Sequence, residues 1–75
     1  MSLDDKAPSK AQLNNLMDYY QSGRYDDAEK LALIITKEFP THQFSWKILG
    51  TLLGQSGRIS ESLKINQKAI ELSPQ

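Results

Sequence analysis

Apolar residues recur every three or four positions along four consecutive segments of the chain, and mostly polar residues fill the positions between them. This spacing matches the 3.6-residue turn of an α-helix, so the apolar side chains of each segment share one face. The pattern therefore predicts four amphipathic helices. The apolar positions are Leu13, Leu16, Tyr19 and Tyr20 in the first, Ala28, Leu31, Ala32, Ile35 and Phe39 in the second, Phe44, Trp46, Leu49, Leu52 and Leu53 in the third, and Leu63, Ile65, Ala69, Ile70 and Leu72 in the fourth.

Local signals indicate where these helices begin and end. Ser9 and Gln12 have the spacing of a capping box, in which each side chain bonds the backbone amide of the other residue. Gly23 and Gly57 are expected to end helices, because glycine adopts the left-handed conformation without a Cβ penalty. Pro40 should stop a helix, since it forces the preceding residue out of the helical region. The predicted helices span about residues 10–22, 25–39, 41–56 and 59–72.

The chain contains an internal repeat. The segment Gln21–Arg24 recurs as Gln55–Arg58 at a spacing of 34 residues, and Pro40 recurs as Pro74 at the same spacing. A fixed period of this length is typical of α-solenoids, in which each repeat buries its apolar face on its neighbours. The sequence therefore predicts an all-α fold of two antiparallel helix-turn-helix hairpins. The expected divisions are a disordered leader at 1–8, a first repeat at 9–42 and a second at 43–75.

Composition excludes several classes of function. Nine basic and nine acidic side chains cancel, which argues against the basic surface that nucleic acids or anionic membranes require. The absence of cysteine excludes disulfides and thiolate metal sites. The longest apolar run, Leu31–Ile35, is far shorter than the ~20 residues of a membrane helix. We expect a cytoplasmic protein that binds neither nucleic acid nor membrane.

The second copy resembles the tetratricopeptide repeat, whose 34-residue signature is W-x2-L-G-x2-Y, then A-x3-F, then P. The first copy fills other parts of that signature and departs from it at Gln12, Asn15 and Leu16. We interpret these departures as an N-terminal cap. The resemblance implies a right-handed superhelical stack. The matching residues are Trp46, Leu49, Gly50, Leu53, Gly57, Ala69 and Pro74 in the second copy, and Tyr19, Gly23, Tyr25, Ala28, Phe39 and Pro40 in the first.

The resemblance also implies a binding surface, because family members hold extended peptides in a groove lined by the first helix of each hairpin. Some members bind a C-terminal carboxylate with lysine and asparagine, where this chain has Leu13 and Met17. That particular recognition is therefore not expected. The groove positions implied by the register are Lys10, Leu13, Met17, Tyr20 and Gln21 in the first copy and Phe44, Lys47, Thr51, Gly54 and Gln55 in the second.

The fourth helix carries apolar residues on more than one side. One side is needed for packing on the third helix, which leaves Leu63 and Ile70 as a candidate self-association face. Repeat arrays generally need about three units and a polar outer face on the last helix. We therefore expect either a fragment of a longer protein or a homo-oligomer.

Candidate chemistry is sparse. His42 is the only histidine and is expected to be exposed in a turn, and Asp26 and Asp27 are explained by the favourable position of acidic groups in the first turn of a helix. No nucleophile and base can be paired, so we expect no catalysis, no cofactor and no metal.

The function expected from the sequence is a non-catalytic scaffold module that binds a protein, in the form of a peptide or a helix. Gly54 is either neutral drift or a shallow dip in the groove wall. Two alternatives remain open for the whole chain: a module that serves only self-assembly, and a regulatory repeat segment that precedes a transferase domain absent from this chain.

Overall fold

A computed structural model describes residues 7–72 of the chain. These residues form four helices and contain no strand. The helices are α1 (Lys10–Gln21), α2 (Tyr25–Glu38), α3 (Gln43–Gln55) and α4 (Ile59–Glu71). The prediction of an all-helical fold is therefore confirmed for this part of the chain. None of these helices is long and apolar enough to cross a membrane.

The observed helix boundaries lie within one residue of the predicted ones, except at the start of α3. That helix begins at Gln43 rather than Thr41, because His42 is extended and its amide donates to the Phe39 carbonyl at 3.0 Å. The chain thus uses Pro40–His42 to turn before the helix can start. Most of the predicted leader lies outside the described residues, and Pro8, its last residue, is buried. The final proline of the repeat pattern, Pro74, also lies outside them.

The helix caps agree with the sequence signals and are duplicated. Ser9 and Gln12 form the capping box, with both reciprocal hydrogen bonds present at the start of α1. Gly23 follows α1 with φ 81°, and Gly57 follows α3 with φ 85°. The amide after each glycine bonds the carbonyl five residues back, Arg24 to Tyr19 at 2.8 Å and Arg58 to Leu53 at 3.0 Å. Both ends are Schellman motifs, 34 residues apart.

Each helix packs on the helix before it in the chain. Links of three or four residues require neighbouring helices to run antiparallel, which produces a row of helices in sequence order. The core lies between them, with α3 supplying the most buried residues. The buried hydrophobic cluster is Leu16, Ala28, Ala32, Ile35, Ile48, Leu49, Leu52 and Leu53.

The seam between α3 and α4 is built around Gly50. A Cβ at this position would lie 2.9 Å from Asn66 Cγ, so only glycine lets Asn66 occupy this space. The Ser62 hydroxyl donates to the Gly50 carbonyl at 2.8 Å, and Asn66 Nδ2 donates to that hydroxyl at 3.4 Å. Small and polar side chains on α4 therefore take the place of a purely apolar seam.

The corresponding seam of the first hairpin uses the opposite arrangement. A shift of 34 residues places Leu16 on Gly50 and Ala32 on Asn66, and both Leu16 and Ala32 are fully buried. The first hairpin thus has a large residue on its first helix and a small one on its second. The second hairpin has the small residue, Gly50, on its first helix and the larger one, Asn66, on its second.

Candidate interaction surfaces

The five predicted groove residues of α1 all keep some solvent exposure. Lys10 and Gln21 are exposed, whereas Leu13, Met17 and Tyr20 are half-buried. Met17 and Tyr20 also pack against the core, and the Tyr20 ring meets the Tyr25 ring edge-on at 5.9 Å. Met17 and Tyr20 are therefore held in place by contacts with the core and are only partly accessible to solvent.

The predicted residues of α3 form a more polar surface. Lys47, Thr51 and Gln55 are exposed, and the Phe44 side chain is 42% exposed beside the His42 ring. Gly54 differs from the others. A Cβ there would lie 3.3 Å from Ser62 Oγ, so this face of Gly54 points toward α4.

A single side-chain hydrogen bond joins the two halves of the predicted groove within residues 7–72. Gln55 Nε2 donates to Tyr20 Oη over 3.4 Å, which brings the C-terminal ends of α1 and α3 together. The remaining predicted residues lie along the same two helices, at register positions that match under the 34-residue shift. The groove residues are thus arranged as two parallel rows, connected at one end.

Charge on these two rows has one sign. Lys10 and Lys47 are the only basic residues among the ten predicted groove residues, none of which is acidic, and both are exposed. Two acidic residues of α2 are engaged elsewhere: Asp27 accepts from Arg24 at 2.9 Å and Glu29 pairs with Arg58. Glu38 accepts from Gln12 of α1, and Asp26 lines a cleft together with Gln55. The hydrogen bond to Glu29 raises the pKa of Arg58, whose guanidinium is charged at physiological pH.

The predicted self-association residues are strongly exposed on α4, at 64% for Leu63 and 71% for Ile70. Sequence reasoning missed a third member of this face. Ile59 begins α4 and is 57% exposed. The helical spacing between Ile59, Leu63 and Ile70 would have placed all three on one face of the helix. Ile59 was not assigned to that face because it lies next to the turn that precedes α4.

Sequence reasoning also missed an apolar cleft between α2 and α4. Leu49 and Leu53 line this cleft together with Leu33 and Ile65, and charged residues surround it. Its volume is about 280 Å³. The signal was the apolar side chain of Leu33, which lies outside the main stripe of α2 and is 48% exposed.

The expected exposure of His42 is wrong in part. Its ring is half-buried, and its Nδ1 lies 2.8 Å from the hydroxyl of Ser45, which is fully buried. The histidine thus supplies a hydrogen-bond partner for a buried hydroxyl at the start of α3. Asp26 and Asp27 occupy the first turn of α2, as the sequence predicted.

Comparison of the chain with protein-family models, curated proteins and solved structures found no significant match. The tetratricopeptide resemblance therefore depends on the sequence motifs described above.

Proposed function

We propose that this chain is a non-catalytic protein-interaction module of tetratricopeptide type, which binds a peptide or a helix across α1 and α3. The supporting observation is that all ten residues implied by the register retain solvent exposure, although α3 is the most buried helix of the fold. The matching Schellman motifs after α1 and α3 support the stacking of two equivalent hairpins.

The chemistry of this surface favours an acidic partner segment that also carries apolar side chains. Lys10 and Lys47 attract carboxylates, while Met17, Tyr20 and Phe44 offer apolar area. Two short rows offer less area than the ~1,200 to 2,000 Å² of a stable protein complex, so we expect a modest affinity.

A selection from a random peptide library, with the whole 75-residue chain immobilised, tests this proposal. We expect enrichment of acidic peptides with apolar residues. A groove variant carrying Phe44→Ala and Lys47→Glu should then lose at least ten-fold in affinity for the enriched peptides, measured by isothermal titration calorimetry.

The matched control carries Ile34→Ala and Lys37→Glu, the same kinds of change on an exposed part of α2. This variant should bind like the parent. Equal affinity of the groove variant and the parent would exclude the α1–α3 surface, and equal losses in both variants would exclude a localised site.

A further inference from the structure

A second cleft lies between the start of α2 and the end of α3, apart from the apolar cleft between α2 and α4. Its volume is about 440 Å³, within the ~300 to 1,000 Å³ of ligand-binding pockets. Leu52, which is 2% exposed, contributes an aliphatic surface to it. We call this site the α2–α3 cleft, and its lining residues are Tyr25, Asp26, Glu29, Leu52, Gln55 and Ser56.

The α2–α3 cleft adjoins one end of the predicted groove. Gln55 belongs to both, and its Nε2 donates to Tyr20 Oη over 3.4 Å. The Tyr20 ring in turn meets the Tyr25 ring edge-on at 5.9 Å. A side chain of a peptide bound along α3 can therefore reach the cleft at the C-terminal end of that helix.

Negative charge dominates the α2–α3 cleft. None of the described residues that line it is basic, and Asp26 and Glu29 are acidic. Glu29 pairs with Arg58, which is shared with Glu61 at 3.7 Å and lines the apolar cleft between α2 and α4 instead. Asp26 is exposed, and no salt bridge engages it within residues 7–72. Its carboxylate is therefore available to a cationic ligand.

An arginine elsewhere in the protein shows which ligand suits these groups. The Arg24 guanidinium lies over the Tyr19 ring, with Cζ 4.8 Å from the ring centroid, and pairs with Asp27 at 2.8 Å. An aromatic face and a carboxylate thus hold one guanidinium together. The α2–α3 cleft presents the same two groups in Tyr25, which is 46% exposed, and Asp26.

An arginine side chain also matches the other walls of the cleft. Its methylene groups can contact Leu52, and the Gln55 amide oxygen can accept from its N–H groups, because Tyr20 uses only the amide nitrogen. Lysine is a poorer match, since its ammonium lacks the planar surface that stacks on an aromatic ring. The cleft therefore favours arginine.

The predicted groove has opposite charges at its two ends. Lys10 begins α1 and Lys47 lies in the first half of α3, whereas the cleft lies at the C-terminal end of α3, where the helix dipole adds partial negative charge. Gln55 lies eight positions after Lys47, which corresponds to a rise of ~12 Å along the helix. An extended peptide spans that distance in about three or four residues.

From these observations we propose that the α2–α3 cleft binds an arginine side chain of the partner peptide, about three or four positions from the acidic residue that contacts Lys47. The place of this arginine in a peptide rests on the proposed function. The preference of the cleft for arginine does not, so a ligand smaller than a peptide can test it.

A nuclear magnetic resonance titration of the whole isotope-labelled chain with N-acetyl-arginine amide tests the cleft. We expect saturable shifts at the backbone amides of Asp26, Glu29, Gln55 and Ser56. N-acetyl-citrulline amide has nearly the same shape without the charge, and it should bind at least about five-fold more weakly. Equal binding of the two compounds, or no shift at these four amides, would overturn the proposal.

Asp26→Asn should weaken the binding of N-acetyl-arginine amide about five-fold, the upper end for an exposed ion pair, without changing helix content. The matched control is Asp18→Asn, the same change on an exposed side chain of α1 that does not line the cleft. This control should bind like the parent. Equal losses in both variants would indicate attraction to the overall charge of the protein, which would contradict a localised arginine site.

Peptides selected on the whole chain separate this proposal from the proposed function. Replacement of their arginine by citrulline should lower the affinity for the parent about five-fold and leave the affinity for Asp26→Asn unchanged. Peptides that need Phe44 and Lys47 but lack arginine, or tolerate citrulline, would support the groove and refute the arginine site. If no peptide is enriched, the proposed function fails, while the titration with N-acetyl-arginine amide still decides the cleft.

Discussion

Gly50 and Asn66 of the second hairpin can be replaced by leucine and alanine, the residues at the equivalent positions 16 and 32 of the first hairpin. These two substitutions should be strongly coupled in their effect on the free energy of unfolding. Gly50→Leu adds a side chain that begins 2.9 Å from Asn66 Cγ, so the two cannot occupy their present positions together. Overpacking of this kind costs ~1 to 3 kcal/mol. Leucine is favoured over glycine in a helix by ~1 kcal/mol, which offsets part of this cost. If the overpacking cost is at the upper end of its range, Gly50→Leu should lower the free energy of unfolding by ~2 kcal/mol.

Asn66→Ala should relieve the strain, because it recreates the Leu16 and Ala32 pair of the first hairpin. Asn66 is exposed and its hydrogen bond to Ser62 is long, so the single substitution should change stability by less than ~1 kcal/mol. The coupling free energy should reach ~1 to 3 kcal/mol, as measured for residues in contact.

Urea unfolding followed by far-UV circular dichroism measures all four corners of this double-mutant cycle. Gln67→Ala, a neighbouring exposed change on α4, is the matched control and should give no rescue of Gly50→Leu. Additivity of Gly50→Leu and Asn66→Ala to within ~0.5 kcal/mol would refute the reasoning.

Three further changes test other parts of the fold. Gly23→Ala and Gly57→Ala should each lower the free energy of unfolding by ~1 to 2 kcal/mol, because both glycines have positive φ. Nothing lies within 4 Å of the added Cβ at either position, so the loss comes from the backbone conformation alone. Unequal losses in thermal melts would contradict the equivalence of the two turns. Trp46→Ala should cost ~3 kcal/mol, the low end for aromatic truncation, since the ring is half-buried and Nε1 donates to the Pro40 carbonyl at 2.9 Å; an unchanged melting temperature would contradict this. Glu29→Gln removes the charge of one of the two carboxylates paired with Arg58 and leaves Glu61 at 3.7 Å. It should lower the melting temperature at low salt but not at ~1 M, where the Debye length is ~3 Å; a salt-independent loss would point to packing instead.

Most of the secondary structure could be predicted from the sequence, because its signals are local. The capping box at Ser9 and the glycines at 23 and 57 act through the backbone within one turn, and the structure confirms all three. The start of α3 was less accurate, since the extended conformation of His42 depends on how the chain turns after Pro40.

Contacts between helices were harder to predict. The register implied by the tetratricopeptide resemblance placed Gly54 on the groove side, but a Cβ at this position would contact Ser62 on α4. The half-burial of His42 depends on Ser45, one turn further along α3, whose hydroxyl is enclosed by the fold. Such side-chain environments follow from three-dimensional packing, which a single sequence does not specify residue by residue.

A solution NMR structure of the 75-residue chain tests the duplication most directly. We expect residues 9–38 to superimpose on residues 43–72, with positive φ at Gly23 and Gly57 and the Gly50 backbone against Asn66. Two halves with different helix boundaries, or a negative φ at either glycine, would contradict the duplicated hairpin on which the proposed groove depends.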